Sequence, residues 1–461
     1  MKTRIIGGWI VGFDGTQHAL LEGGEVVFED SRILFVGKSY NEDVDRTIDA
    51  TDKLILPGFI NIHTHSLTGV LTCRGICEDE GHFLYKYVLP IRYGSPSSPP
   101  YAKGDDAHIL TRVALLGLLK SGVTTFMEQT DNLEDVFQIA QELGIRVYGC
   151  YCYFNGIPYE EDGSVVYPRF GDACPGFDRN LDLIRRYNDV EDGRIRVWLG
   201  PLGPDTCSTE LLEETRKKAN EFCVGIGTHV AQSLTEVDEI ERRAGKTSVE
   251  FLDDIGFWGK DVIAAHAIHT TASDVEIMAR SGMTVAHCAS SYLGIGQRVP
   301  MAAYRRRGIN VVIGTDQNAT DLIDEMRLAM YSSRLNEADP HATGCLDAFN
   351  AVTLNAAKVL GRKDIGIIAP GARADILLVD LRQSHLMPFR DPLKILIYHA
   401  NRNDVDTVIV DGQILVEDRK VLTMDEDETI RKGNEVAERI WRTSESEIGL
   451  PRFLLPQAQN T

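Results

Sequence analysis

Hydrophobic and polar residues alternate along this 461-residue chain in two textures. From about residue 57 to 364, short apolar runs are separated by stretches whose apolar residues recur every three or four positions. The runs are Phe59–His65, Thr124–Glu128, Arg146–Tyr153, Arg196–Gly200, Gly225–Ala231, Asp261–Ala267, Met283–Ala289 and Asn310–Asp316. Helical spacing fills Asp106–Ser121, Asn132–Leu143, Thr209–Phe222 and Ala272–Ser281 between them. Eight strand–helix repeats predict an α/β chain folded as a (β/α)8 TIM barrel, spanning 57–364. A doubly wound open sheet is the alternative, but no glycine-rich phosphate loop follows the first run.

On either side the texture changes to short strands and turns. "RIIGGWIVG", "GGEVVFED" and "SRILFVGK" lie within residues 1–56, and "ADILLVD" and "DVDTVIVDGQILVED" within 365–424. Asp411-Gly412 is a hairpin signal. These flanks predict one small β-sandwich domain built from both chain ends. Residues 425–461 then read as a surface helix and tail, with acids first and apolar residues at helical spacing.

Composition narrows the class. Hydrophobic residues make up 43% of the chain, ample for a large core. The net charge of −20 argues against nucleic acid or an anionic membrane as a partner. No apolar run approaches the ~20 residues that span a bilayer. Nine cysteines without a paired framework suggest reduced thiols. The expectation is a cytoplasmic protein acting on a small molecule, as a homo-oligomer of two or more copies.

The chemistry lies where the apolar runs end. The first run, "FINIHTH", closes on His63 and His65, which share one side of a strand. Alone, such a pair means little. The fifth run ends at His229, the sixth carries His266 with His269 beyond it, the seventh carries His287, and the eighth ends in Asp316. Six of the twelve histidines and an aspartate thus gather at one end of the predicted barrel, where TIM-barrel chemistry sits. Imidazoles with a carboxylate suit Zn²⁺, Co²⁺, Fe²⁺ or Mn²⁺. His63, His65, His229 and Asp316 would leave a coordination position for water, the arrangement of a catalytic centre rather than a closed structural one.

The segments "LPGFINIHTH", "TCRGI", "THVAQSLTEV", "AHAIHTT", "VAHCASSYLGIG" and "GTDQNATD" together resemble the amidohydrolase superfamily. The resemblance is to its branch of atrazine chlorohydrolase, S-adenosylhomocysteine deaminase and guanine-type deaminases. It implies one divalent metal per chain, held by His63, His65, His229 and Asp316, with His266 over the metal-activated water. Asp316 would take that water's proton and pass it to the leaving group, while His266 steadies charge on the attacked carbon. The fourth run, "RVWLGP", has no lysine or glutamate to bridge a second ion, so one metal is expected.

One residue departs from the pattern. Deaminase-like members carry His-x-x-Glu after the fifth strand, whereas this chain has His229-Val-Ala-Gln232. Glutamine can orient a substrate but has no proton to exchange. Glu236, one helical turn on, is expected to point away from the metal. The substitution favours a urea-, carbamate-, thiocarbamate- or amide-type bond, with phenylurea hydrolase and the thiocarbamate-cleaving molinate hydrolase as nearest models. An aminohydrolase or chlorohydrolase acting on a triazine, purine or pterin stays open, as does a non-catalytic barrel scaffold. His269 and His287 are candidates for the substrate wall beside Gln232. The long segment from Ser66 to Gly104, rich in Phe, Tyr, Leu and Pro, suits an apolar lid. Glu128 is expected to be a buried carboxylate near the site.

Overall fold

The computed structural model describes residues 1–72, 84–94, 100–317, 321–388 and 390–448. Eight parallel strands form its centre: β1 (Phe59–Thr64), β2 (Val123–Thr130), β3 (Arg146–Tyr153), β4 (Ile195–Pro201), β5 (Ile226–Val230), β6 (Val262–His266), β7 (Thr284–His287) and β8 (Asn310–Ile313). They pair in chain order. A parallel bridge between Thr64 and Asp316 brings the last strand's end back to the first. Their residues are almost all buried, as expected of strands covered on both faces.

The seam between β8 and β1 explains part of the "FINIHTH" pattern. Asn61 is a buried polar residue whose Nδ2 donates to Thr315 Oγ1 at 2.8 Å, while its Oδ1 accepts from the Thr315 amide at 3.1 Å. Asp316 N donates to the His63 carbonyl at 2.9 Å. Gly314 lets the chains approach this closely. A Cβ there would lie 2.7 Å from His63 Cβ and 2.8 Å from its backbone nitrogen and oxygen.

Several strands stop short of the apolar runs. The expected runs reach Ala231, Ala267 and Asp316, whereas the strands end at Val230, His266 and Ile313. The physical reason is a turn into left-handed backbone, with φ of 47° at Ala231, 78° at His266, 50° at Ala267 and 50° at Asp316. Such conformations cost non-glycine residues about 1–3 kcal/mol each and gather at functional sites.

Both chain ends build the β domain, as two packed sheets. One has the order Arg32–Gly37, Glu25–Glu29, Lys2–Ile6, Arg46–Asp49. The other has seven strands, in which Ile376–Asp380 pairs with Lys53–Pro57. Ile5, Ile10, Phe28, Ile55, Ile376 and Ile409 share the core between them. The Asp411-Gly412 turn, with both residues at positive φ, joins Val405–Val410 to Gln413–Glu417. The C-terminal helix, Glu426–Ile448, lies on the barrel rather than standing free. Its Ala437 and Ile440 pack with Leu71 and Leu110, and Trp441 Nε1 donates to the Leu71 carbonyl at 2.7 Å.

Of the expected lid, Ser66–Leu71 is a short helix, and Leu84–Val88 and Leu89–Tyr93 form a second helical piece. The stretches 73–83 and 95–99, which include Arg74, lie outside the described residues, as does 318–320 of the "GTDQNATD" segment.

A buried ion-pair group ties the barrel's lower end to the β domain. Arg146, which starts β3 and is fully buried, places Nη2 3.3 Å from Asp375 and 3.0 Å from Asp411, and Arg373 reaches the same Asp411 oxygen at 3.2 Å. Removing one partner from such a group strands the opposite charges in a dry interior. Arg146→Ala is therefore expected to lose about 3–5 kcal/mol of stability, read as a lower urea midpoint. An unchanged midpoint would show that the junction is held by apolar packing alone.

Candidate metal centre

Five of the expected residues converge at the mouth of the barrel. The His63 ring lies 4.8 Å from that of His65, 4.9 Å from His229 and 5.3 Å from His266. His65 and His229 stack at 5.2 Å with their Nε2 atoms 3.1 Å apart. Asp316 Oδ1 stands 3.7 Å from His63 Nε2 and 3.6 Å from His65 Nε2. All five are buried or nearly so.

The hydrogen bonds behind these rings decide what they present. His65 Nδ1 lies 2.7 Å from the Gln129 carbonyl, and His229 Nδ1 lies 2.6 Å from the Leu202 carbonyl. A carbonyl only accepts, so each Nδ1 carries the proton and each Nε2 turns a lone pair inward. Burial, together with the neighbouring rings, holds His63 and His229 well below the ordinary histidine range, and burial pushes His266 down to about 3. His63, His229 and His266 are therefore neutral. The two Nε2 atoms 3.1 Å apart, with the buried His63 Nε2 lacking a hydrogen-bond partner among the described residues, turn inward donors that a cation would satisfy. The donor set of three imidazoles and a carboxylate therefore fits a divalent ion. His63, His65 and His229 form one group able to hold an ion, and His63, His266 and Asp316 another.

Supports from residues outside this expected set hold the centre in place. Ser291 Oγ donates to Asp316 Oδ2 at 2.6 Å, and the Tyr292 ring meets His266 edge-on at 5.0 Å. Both lie in the "CASSYLGIG" segment, but no periodicity marked them. Glu128 Oε1 accepts from the amide and hydroxyl of Ser66, next to His65, at 2.8 and 2.9 Å. Glu236 accepts from the Ala231 and Gln232 amides at 2.7 and 2.8 Å, so its oxygens brace the left-handed turn after His229. Glu325 does the same for Ala289 and Ser290.

The remaining candidates are more dispersed. Gln232 is half-buried, with its amide nitrogen against Gly203 in the turn after β4. His287 is buried at the end of β7, and burial pushes it down to about 4. His269 is half-buried, its amide bonded to the Ala231 carbonyl at 2.9 Å and its Nε2 without a partner among the described residues. Above them, Tyr85 and Leu89 of the lid pack with Cys152 and Leu202 at the ends of β3 and β4. A hairpin of Tyr159–Glu161 and Ser164–Val166, absent from the sequence reading, adds Val165 to this apolar cover.

A family model described as the amidohydrolase family matches residues 54–415. The chain belongs to the amidohydrolase family. This amidohydrolase is a metal-dependent enzyme that hydrolyses carbon–nitrogen bonds other than peptide bonds. It is 34% identical to 5-methylthioadenosine/S-adenosylhomocysteine deaminase of Thermococcus onnurineus over 405 residues, 86% of this chain and 90% of that one. It is 31% identical to 5'-deoxyadenosine deaminase of Methanosarcina barkeri, covering 91% and 94%. The solved atrazine chlorohydrolase TrzN of Arthrobacter aurescens TC1, complexed with zinc, superposes with a TM-score of 0.84 at 25% identity, over 94% of this chain and all of that one. The expectation of phenylurea and thiocarbamate hydrolases as nearest models is corrected by these relatives, which are deaminases at higher identity.

Glu128 yields a test of the scaffold. Burial pushes its carboxyl up to about 8, against the Ser66 donors and the Arg92 charge. With the folded value above the unfolded one, stability is fullest below about pH 4.3 and is lost as pH rises through about 8. Glu128 Oε2 has no partner among the described residues, so a glutamine amide can replace it while Oε1 keeps the Ser66 bonds. Glu128→Gln should melt close to wild type near pH 5 and above it near pH 9. Equal melting at both would place the ionised form in a solvated pocket.

Proposed function

We propose that the enzyme is an aminohydrolase that replaces an amino group on the carbon of an N-heterocycle of the adenosine type by hydroxyl. The observation that carries this reading is the three-histidine, one-aspartate cluster in a chain 31–34% identical over most of its length to adenosine-type deaminases. A divalent ion held by His63, His65, His229 and Asp316 would supply Lewis acidity and make water a nucleophile at neutral pH. Asp316 accepts the proton of the attacking water and returns it to the departing nitrogen, its orientation kept by Ser291. His266, neutral and stacked on His229 at 5.3 Å, hydrogen-bonds the oxygen developing on the attacked carbon. Gln232 positions the substrate through its amide, and His269 and His287 form part of the substrate wall.

Gln232 favours a second reading. A ring nitrogen protonated during attack needs an acid beside it, and glutamine has none. Cleavage of a urea, carbamate, thiocarbamate or amide bond needs no such proton, so the carbonyl hydrolase remains the competitor.

Product analysis separates the two. The zinc-loaded enzyme is offered adenosine analogues, aminotriazines, N-aryl ureas, thiocarbamates and anilides. Ammonia from the first two classes supports the aminohydrolase, whereas an aniline or secondary amine alone overturns it. Asp316→Asn is expected to lower kcat by at least about 10²-fold on whichever substrate turns over, since it removes the proton acceptor. Near-normal turnover would reassign the base. If the site is a deaminase lacking one acid, Gln232→Glu should raise ammonia release several-fold.

A further inference from the structure

Beyond the metal centre, one buried carboxylate oxygen lacks a partner where the substrate reading needs a fixed group. Asp205 lies in the turn after β4 and is 1% exposed. Its Oδ2 accepts from the Tyr167 hydroxyl at 3.0 Å, and its Oδ1 has no hydrogen-bond partner among the described residues. Tyr167 directly follows the hairpin of Tyr159–Glu161 and Ser164–Val166. Its hydroxyl also lies 3.5 Å from that of Tyr85 in the lid, and Tyr85 meets Ser233 Oγ at 2.9 Å. Ser233 is the neighbour of Gln232.

Gly203 leaves a gap in the same place. A Cβ built on it would sit 2.9 Å from Asp205 Oδ1, 3.7 Å from the His229 carbonyl and 3.9 Å from Gln232 Nε2. The missing side chain thus leaves the orphaned oxygen and the glutamine amide flanking one small space. Buried acceptors of this kind are rarely left unmet.

We infer that Asp205 is a positioning residue: a turn of the Gln232 side chain across the Gly203 gap brings its Nε2 amide to the unmet Asp205 Oδ1, which turns Gln232 Oε1 toward the substrate. Burial pushes the Asp205 carboxyl up to about 6, so it is ionised and a strong acceptor at neutral pH. The groups around it act in both directions. Tyr167, its own amide and Arg243 favour its charge, while Glu239 opposes it, and Glu236 is buried nearby.

The consequence is chemical. A carbonyl oxygen accepts and never donates. With its nitrogen taken, Gln232 selects substrates that present an N–H beside the attacked carbon, such as a primary or secondary amine, over their N,N-dialkyl counterparts. This selectivity rests on the carbon–nitrogen hydrolase reading above, whereas the Asp205–Gln232 contact does not.

The contact is tested without substrate. In zinc-loaded protein labelled with 15N-glutamine, the side-chain amide signal of Gln232 is identified by its loss in Gln232→Leu. Asp205→Asn should displace that signal and abolish its dependence on pH. Gly203→Ala, whose Cβ forces the Asp205 carboxylate aside, should do the same. A Gln232 signal that neither variant moves overturns the inference. On a substrate found by product analysis, wild type should prefer the N–H form over its N,N-dimethyl form by about tenfold in kcat/KM, the size of one hydrogen bond. Asp205→Asn should shrink that preference mainly through KM. An unaltered preference in the variant would refute the selectivity. Absence of turnover on every carbon–nitrogen substrate would refute the function while leaving the amide result to stand.

Discussion

Closure of the barrel is the constraint on which the rest of this structure depends. A sheet of eight parallel strands has exposed edges unless its last strand returns to its first, and here that return is made at the candidate ligands themselves. The Asp316 amide bonds the His63 carbonyl, the Thr64 hydroxyl bonds the Asp316 carbonyl, and Asn61 interlocks with Thr315 just below. The seam and the site are the same few residues. Placing the carboxylate beside the two histidines of β1 therefore needs no extra device, because the hydrogen bonds that close the sheet already set their separation. Gly314 is the position that permits it.

Around the seam the protein holds its imidazoles by their outer nitrogens and keeps their inner ones free. Backbone carbonyls of Gln129 and Leu202, each on a neighbouring strand or turn, fix His65 and His229. Buried carboxyls of Glu128, Glu236 and Glu325 hold the turns that follow three of the strands, each through donors at the base of a loop. These acids lie outside the imidazole cluster. Among them Glu236 meets a strained residue, the left-handed Ala231 that follows the end of β5.

The barrel was legible because its signal is periodic and repeated. Each run of buried apolar residues is short and punctuated, and the histidines mark one end of the set. The ligand cluster could be read for the same reason: strand ends in this fold converge, so residues far apart in sequence had to meet. Less regular features escaped. The hairpin of Tyr159–Val166 is built from three-residue strands with no apolar alternation. Ser291 acts through one hydroxyl, which no pattern of polarity distinguishes from any other serine. The C-terminal helix read as a surface helix, yet Trp441 anchors it to the carbonyl of Leu71, a contact between distant segments that only the folded chain reveals. Substrate preference was read from a single substitution at Gln232, and the relatives weigh more.

The domain assembled from both ends of the chain has a consequence during synthesis. Strand Lys53–Pro57 is made early, but its partner Ile376–Asp380 emerges only after nearly the whole barrel. At roughly 5–20 residues per second, an unpaired hydrophobic edge waits for tens of seconds on the ribosome. Throughout that interval the nascent chain presents a template for strand addition by any other chain. Its yield in a cell is then governed by how well that edge is shielded before the last segment arrives, a kinetic hazard that the stability of the finished enzyme does nothing to relieve.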